Sequence, residues 1–328
     1  MELHTRFTTA YGLSSPIAQA GMAFVGMTPD LAVAVSNAGA MGSLGVGLLP
    51  APAMTQIIAG IRAGTSGPFH VNFITVFTSQ DQIDAVCSLN VPAVSFHWGH
   101  PSRAWIKQLH ESGVGVFEQV GSVDAAKRAA DDGIDVVVAQ GLEAGGHNYA
   151  TLPTFALVPL VVDAVAPALV LAAGGIADGR GLAAALMLGA DGAWIGTRLV
   201  ATDESTAHDE YKARLIAANA TDTVRTSLFG PDTPDFNPMR VLRNRVVAAS
   251  PTDGTRPVIG ETVLGGEHVE LRRFTNLVPM RGATTGDFEE MPLLSGQGVG
   301  LIDAVKSAAS VIADLTAGAR EALDRYPL

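Results

Sequence analysis

The sequence predicts an α/β protein built as a (β/α)8 TIM barrel. Short apolar runs alternate with longer alanine-rich segments of helical period, which is typical of repeated βα units around a parallel sheet. Eight such runs and seven intervening helices precede residue 200, as a closed barrel requires. The 36 glycines, about 11% of the chain against roughly 7% in an average protein, fall at the ends of apolar runs.

The predicted strands are short and occur at regular intervals. They lie at Ile17–Gln19, Met41–Val46, Phe69–Ile74, Ala93–Phe96, Gly115–Gln119, Asp135–Gln140, Ala168–Ala173 and Ala193–Gly196. The intervening helices begin near Pro29, Pro50, Ser79, Pro101, Ser122, Pro153 and Gly179. The alternative, an open doubly wound sheet, is disfavoured because the first strand lacks a G-x-G-x-x-G loop.

The pattern changes after the eighth strand. Residues 206–220 have helical period, residues 223–290 are rich in Gly, Pro, Thr and Arg, and residues 298–323 are again alanine-rich and helical. We therefore expect a barrel over residues 1–222, an inserted lid or small domain over 223–289, and a C-terminal segment, 290–328, that completes the barrel.

Composition limits the partners. A net charge of −11 argues against nucleic acid, which needs clustered Lys and Arg, so a small molecule is expected. The single cysteine, Cys87, excludes a disulfide framework and indicates a reducing, cytoplasmic location. The start lacks an apolar core and the most apolar stretch, 152–176, is interrupted by prolines, so neither signal peptide nor membrane association is expected. A homo-oligomer is compatible with the sequence.

Two glycine-rich loops follow the seventh and eighth strands. Their sequences are Ala172-Ala173-Gly174-Gly175-Ile176 and Trp194-Ile195-Gly196-Thr197-Arg198. Barrels commonly bind phosphate in these loops, through backbone N–H groups and a short helix N-terminus. Two tight turns without a ligand are the alternative interpretation.

A third glycine-rich loop follows the sixth strand and ends in His147, at the predicted mouth of the barrel. With it, an ordered set of segments resembles the nitronate monooxygenase family, formerly 2-nitropropane dioxygenases, which are FMN-dependent and related to flavin enoyl-thioester reductases. The matching segments are 16–22, 36–39, 71–73, 138–147, 173–181, 196–198 and 295–298. These segments occur in matching order, and the resemblance covers about two-thirds of the chain.

The resemblance implies which residues hold FMN. They are Gly21, Met22, Asn72, Gln119, Gln140, Gly145, Gly146, Gly174, Gly175, Trp194, Ile195, Gly196 and Thr197. Gly21 and Met22 would lie beside the isoalloxazine ring. Gly175 and residues 194–197 would hold the phosphate end of FMN. Some relatives carry lysine where this chain has Gln119, so a positive charge near the ring is missing here.

The same resemblance implies oxidation of alkyl nitronates by O2 to a carbonyl compound and nitrite. His147 is the expected catalytic residue, either as a base on a neutral nitroalkane or, protonated, as a partner of an anionic nitronate. A helix-capping or solvent-exposed histidine is the alternative. The substrate pocket is expected to include His97, Ser295 and Gln297.

Two other functions stay open. One is an NAD(P)H-dependent FMN reductase acting on an enoyl thioester or quinone, and the other is a flavin-free barrel that binds a phosphorylated metabolite. A metal site is not expected, because His97 and His100 lack helical spacing and a third ligand. The arginines at 240, 243 and 245 could reach an anionic substrate, but a solvated basic face is the simpler interpretation.

Overall fold

The computed structural model describes residues 3–250 and 254–325. Up to residue 200 the strands are β1 (Ile17–Gln19), β2 (Gly42–Gly45), β3 (Phe69–Ile74), β4 (Ala93–His97), β5 (Gly115–Val120), β6 (Val136–Gln140), β7 (Gly146–His147), β8 (Leu169–Ala173) and β9 (Gly192–Ile195). The helices are α1 (Arg6–Tyr11), α2 (Pro29–Asn37), α3 (Ala51–Gly64), α4 (Gln80–Ser88), α5 (Arg103–Glu111), α6 (Val123–Asp131), α7 (Thr154–Val165), α8 (Gly179–Met187) and α9 (Thr197–Val200).

All of these strands except β7 form one parallel sheet in the order β1-β9-β8-β6-β5-β4-β3-β2. A parallel bridge between Ala18 and Met41 joins the two ends. The eight predicted strands and the TIM-barrel prediction are therefore confirmed. The predicted seventh and eighth strands are β8 and β9, because β7 lies in the loop after β6.

The side chain of Gln19 strengthens the seam between β1 and β2. Its Nε2 donates to the Ser43 carbonyl at 3.0 Å, and its Oε1 accepts from the Ser43 N–H at 3.1 Å. A buried carboxamide thus pairs with β2 as a peptide group would, beside the backbone bridge, Ala18–Met41, between these two strands.

The helices between the barrel strands begin within two residues of their predicted starts. The side chains of Ser79, Ser102, Ser122 and Asp178 accept hydrogen bonds at the N-termini of α4, α5, α6 and α8. Each cap satisfies a backbone N–H that lacks an intrahelical partner, so it stabilises the turn that leads out of a strand.

The sequence pattern did not predict α1, which covers the amino-terminal end of the barrel. Phe7 is fully buried and packs edge-on against Phe117 of β5, as does Tyr11. The helix is one and a half turns long, too short for a period of apolar residues to reveal it.

Beyond residue 200 the elements are α10 (Asp209–Ala217), β10 (Thr223–Thr226), β11 (Met239–Leu242), α11 (Arg245–Ala249), β12 (Val258–Leu264), β13 (Glu267–Arg272), β14 (Thr285–Gly286) and α12 (Ala308–Asp324). The helix predicted over 206–220 is thus shorter, and the one predicted from residue 298 begins ten residues later. α12 packs its Ile312 and Leu315 into a cluster with Leu182 of α8 and Leu31 of α2. α12 therefore lies against α8 and α2.

Residues 223–289 contain more regular structure than their composition indicated. β12 pairs with β13 and β14, whereas β11 pairs with β10 and with β7, the two-residue strand that contains His147. This region therefore contacts the loop after β6 directly. No helix in the described part of the chain is long and apolar enough to cross a bilayer.

Candidate active site

A cavity of about 340 Å³ lies at the carboxyl ends of the barrel strands. Most of the residues predicted from the sequence line it: Gly21, Met22, Asn72, His97, Gln119, Gln140, Gly145, Gly146, His147, Gly174, Gly175, Trp194, Gly196 and Thr197. They come from seven loops or strand ends, because parallel strands in a closed barrel direct all their carboxyl ends to one face.

Three carboxamides contribute to the cavity wall: Asn72 of β3, Gln119 of β5 and Gln140 of β6. The Nε2 of Gln140 donates to the carbonyl of His147 at 3.2 Å. Its Oε1 is buried and has no partner within residues 3–250 and 254–325. A buried acceptor without a partner costs free energy, so this oxygen is positioned to meet a ligand donor.

Gly21 is required by its contact with Asn72. A Cβ at this position would overlap the Asn72 carboxamide. The chain after β1 therefore passes directly over that side chain, and any residue larger than glycine would displace it.

His147 is enclosed by aromatic side chains. Its ring stacks on Phe236 with centroids 3.5 Å apart, and Trp98 packs edge-on at 5.7 Å. Burial, followed by the nearby His97, lowers the pKa of His147 to about 3. Nδ1 lies 2.6 Å from the Phe236 carbonyl, which can only accept, so Nδ1 carries the proton and Nε2 is an acceptor.

His97 forms a second neutral ring in the wall. Burial lowers its pKa to about 4. Its Nδ1 lies 2.8 Å from Nε2 of Gln119, whose amide donates to it. Gln119 is thus a neutral donor to the His97 ring.

The other end of the cavity is formed by the two glycine loops. Gly174 and Gly175 have φ values of +115° and +73°, which side chains rarely adopt. The Thr197 hydroxyl accepts from the Gly296 N–H at 3.0 Å, which joins the loop after β9 to the segment before α12. Backbone atoms therefore dominate this end.

Three predicted site residues lie elsewhere. Ile195 points into the core between the barrel and the helices. Ser295 is fully buried, and its hydroxyl donates to the Gly296 carbonyl. Gln297 is exposed beside a shallower depression, with its N–H bound to the Glu143 carbonyl at 2.9 Å.

The predicted segment 295–298 therefore contacts the site through its backbone. A Cβ at Gly145 would overlap the Ser295–Gly296 backbone. Close packing of two chain segments explains why small residues occur in both loops.

Several cavity residues were not identified from the sequence. They are Phe24, Leu48, Phe77, Tyr211, Phe236 and residues 276–278. Phe77 packs edge-on against Phe236, and the Trp98 Nε1–H donates to the Asp235 carbonyl at 2.7 Å. Phe24 and Leu48 follow predicted strands and could have been found there. No local sequence pattern marks Phe236.

No Asp, Glu, Lys or Arg side chain lines the cavity in the described ranges. The rings of His97 and His100 turn to different partners, since His100 lies between Glu118 and Asp132 at 2.8 and 2.9 Å. Among the described residues no three His, Cys, Asp or Glu side chains are grouped as metal ligands. Arg240 does not form an exposed basic face, because its guanidinium is buried against the Leu142 carbonyl.

The comparison with known proteins agrees with the geometry. The family model described as nitronate monooxygenase matches residues 4–85 and 73–318. A probable nitronate monooxygenase of Staphylococcus saprophyticus is 31% identical over 99% of this chain and 100% of its own.

Solved structures show the same likeness. FabK from Thermotoga maritima has a TM-score of 0.82 at 33% identity, covering 98% of both chains. Nitroalkane oxidase from Streptomyces ansochromogenes has a TM-score of 0.79 at 26% identity, covering 97% of this chain and 99% of that one. The resemblance noted in the sequence is confirmed: the chain is an oxidoreductase that belongs to the nitronate monooxygenase family.

Proposed function

We propose that the protein is an FMN-dependent enzyme that oxidises alkyl nitronates with O2 to a carbonyl compound and nitrite. The main support for this proposal is the position of the His147 side chain. Its ring lines the same cavity as the three carboxamides and the two glycine loops, and its Nε2 is an unprotonated acceptor.

The cavity residues fit FMN. The carboxamides of Asn72, Gln119 and Gln140 can meet the donors and acceptors of an isoalloxazine edge, and the partnerless Gln140 Oε1 can accept from a ring N–H. The backbone at Gly174, Gly175 and Gly196 can approach a phosphate closely. When bound, FMN would supply the two-electron chemistry that side chains lack.

The chain's own residues would then handle the proton and the solvent. Nε2 of His147 can take the α-proton of a neutral nitroalkane, whereas a protonated His147 is disfavoured by its low pKa in the ligand-free site. Phe236 and Trp98 cover the ring and keep water away from it.

We further propose that residues 223–289 form a lid on a barrel of residues 1–222, with 290–328 completing the barrel. Pairing of β11 with β7 supports this, because it attaches the region to the His147 loop.

A reductase acting on an enoyl thioester or quinone is the second candidate. The rim of the cavity favours it: Leu48 is 70% exposed and Phe77 38% exposed, which suits an apolar chain. The likeness to FabK, an enoyl reductase, adds support.

An anaerobic absorbance titration separates these functions. The purified protein, loaded with FMN, is titrated with propyl nitronate, NADH and NADPH in turn. Flavin reduction by the nitronate supports nitronate oxidation. Rapid bleaching by a pyridine nucleotide alone supports the reductase, and failure to bind FMN contradicts both.

A further inference from the structure

His70 of β3 lies inside the barrel with a partner on each ring nitrogen. Nε2 is 2.9 Å from the Gln19 carbonyl oxygen, and Nδ1 is 2.9 Å from the Ser95 hydroxyl. The side chain is fully buried and stacks on the Trp194 indole, with ring centroids 4.6 Å apart. Burial lowers the pKa of His70 to about 4, so the ring carries one proton at neutral pH.

The Gln19 carbonyl determines where that proton lies. A carbonyl only accepts, so Nε2 carries the hydrogen and Nδ1 is left as an acceptor. The Ser95 hydroxyl must then donate to Nδ1. Its oxygen is free to accept from Nδ2 of Asn72, which lies 2.8 Å away.

Each hydrogen bond in this chain therefore has a fixed donor and a fixed acceptor. The two flips of an Asn side chain are usually hard to distinguish, but here only one is compatible with the neutral ring. With Nδ2 held by Ser95, the Asn72 Oδ1 lies against Gly21 at the cavity.

We infer that His70 and Ser95 are positioning residues that turn the Asn72 carbonyl oxygen toward an N–H of the bound flavin. They would act through Asn72, since neither lines the cavity within the described ranges. The inference rests on the proposed FMN site, and it gives a purpose to this buried chain of polar side chains.

Ser95→Ala tests the chain of hydrogen bonds, with Ser43→Ala as a matched control. Ser43 is an equally buried serine on β2, but its hydroxyl has no partner in the described part of the molecule. Apoprotein is titrated with FMN by fluorescence quenching. Ser95→Ala should bind FMN about 5- to 10-fold more weakly, the effect of one lost oriented hydrogen bond, whereas Ser43→Ala should change affinity less than about twofold.

The outcomes distinguish this inference from the proposed function. If the wild type binds no FMN, both fail. If the wild type binds FMN and Ser95→Ala binds it equally well, the positioning role alone is wrong.

A second measurement needs neither Ser95→Ala nor FMN. ¹⁵N-histidine NMR of the wild-type apoprotein, with His70 assigned by His70→Gln, should show the neutral Nε2–H tautomer at pH 7. In Asn72→Asp the carboxylate has no N–H to donate, so Ser95 should turn its hydroxyl toward it. His70 would then take up a second proton, and its pKa should rise by about one to three pH units. An Nδ1–H tautomer in the wild type, or an unchanged titration in the variant, would overturn the inference.

Discussion

The cavity keeps its titratable side chains neutral by burial. His147 and His97 have pKa values of about 3 and 4, and no charged side chain lines the wall in the described ranges. Electrostatic interactions are strong in a low-dielectric site of this kind, so the one exposed acceptor of the His147 ring, Nε2, has a large effect on a bound molecule. We therefore propose that the reaction depends on this one ring atom.

Replacing His147 by Asn should leave FMN bound and lower turnover of a neutral nitroalkane by roughly 10²-fold or more, the scale of general acid–base catalysis. Initial rates and the ratio of flavin to protein absorbance measure the two effects. Turnover equal to wild type would remove His147 from the mechanism.

Binding of an anionic nitronate should be linked to proton uptake. An anion in a cavity without fixed positive charge raises the pKa of the neighbouring His147 from its ligand-free value of about 3 by roughly one to three pH units, so affinity should increase as the pH falls from about 7 to about 4. Dissociation constants of propyl nitronate across this range measure the effect, and His147→Asn should abolish it. A pH-independent constant in the wild type would contradict the linkage.

At the level of elements, the loop that carries His147 is held from two sides. The Asn148 Nδ2 donates to the carbonyls of Gly141 and Ala144, both at 3.0 Å. The Arg240 guanidinium of β11 donates to the Leu142 carbonyl through two nitrogens, at 3.0 and 3.1 Å. The loop is therefore fixed by β11 as well as by the barrel.

Arg240→Met should loosen this loop. It removes the guanidinium and leaves the Leu142 carbonyl with only the long hydrogen bond from Asn148 Nδ2 at 3.4 Å, which should lower stability by about 1–3 kcal/mol and reduce turnover. Denaturant unfolding and steady-state rates measure these changes. Arg243→Met is the control, because Arg243 is exposed on the same segment and should change neither.

The β1–β2 seam gives a second prediction for an element. Gln19→Leu keeps the volume but removes both bonds to the Ser43 backbone, so we expect a loss of about 2–4 kcal/mol. Urea unfolding measures it, with Gln56→Leu on the exposed face of α3 as the control. Equal midpoints for the two variants would mean that the seam does not depend on Gln19.

For the whole molecule, buried neutral histidines make stability depend on pH. The pKa of His70 is about 4 in the folded protein and near 6.5 in the unfolded chain, so the unfolded chain binds more protons between these values. The stability contribution is present above pH 6.5 and is lost as the pH falls toward 4.

The loss attributable to His70 by pH 5 should be about 2 kcal/mol. Unfolding free energies at pH 7 and pH 5 should therefore differ less in His70→Gln than in wild type. The exposed His268 supplies the control, since His268→Gln should keep the wild-type difference. The same difference in all three proteins would show that His70 does not cause the pH dependence.

Local pattern was sufficient for the barrel. Each βα unit repeats an apolar run, a glycine-rich turn and a capped helix, and these signals act within about a dozen residues, so strands and helix starts were predicted closely. The glycine loops and His147 were found because barrel topology brings every strand end to one face.

Long-range packing decided the rest. Phe236 reaches His147 across 89 positions of the chain, and the Gln19, His70 and Ser95 contacts join three strands. Such contacts leave no periodic trace in the sequence, because they depend on which side chains the closed barrel and the region after it bring together. The sequence alone thus determined the architecture and the family. Only the tertiary structure decided which nitrogen of the His147 ring is the acceptor, which way the Asn72 carboxamide is turned, and which aromatic ring covers His147.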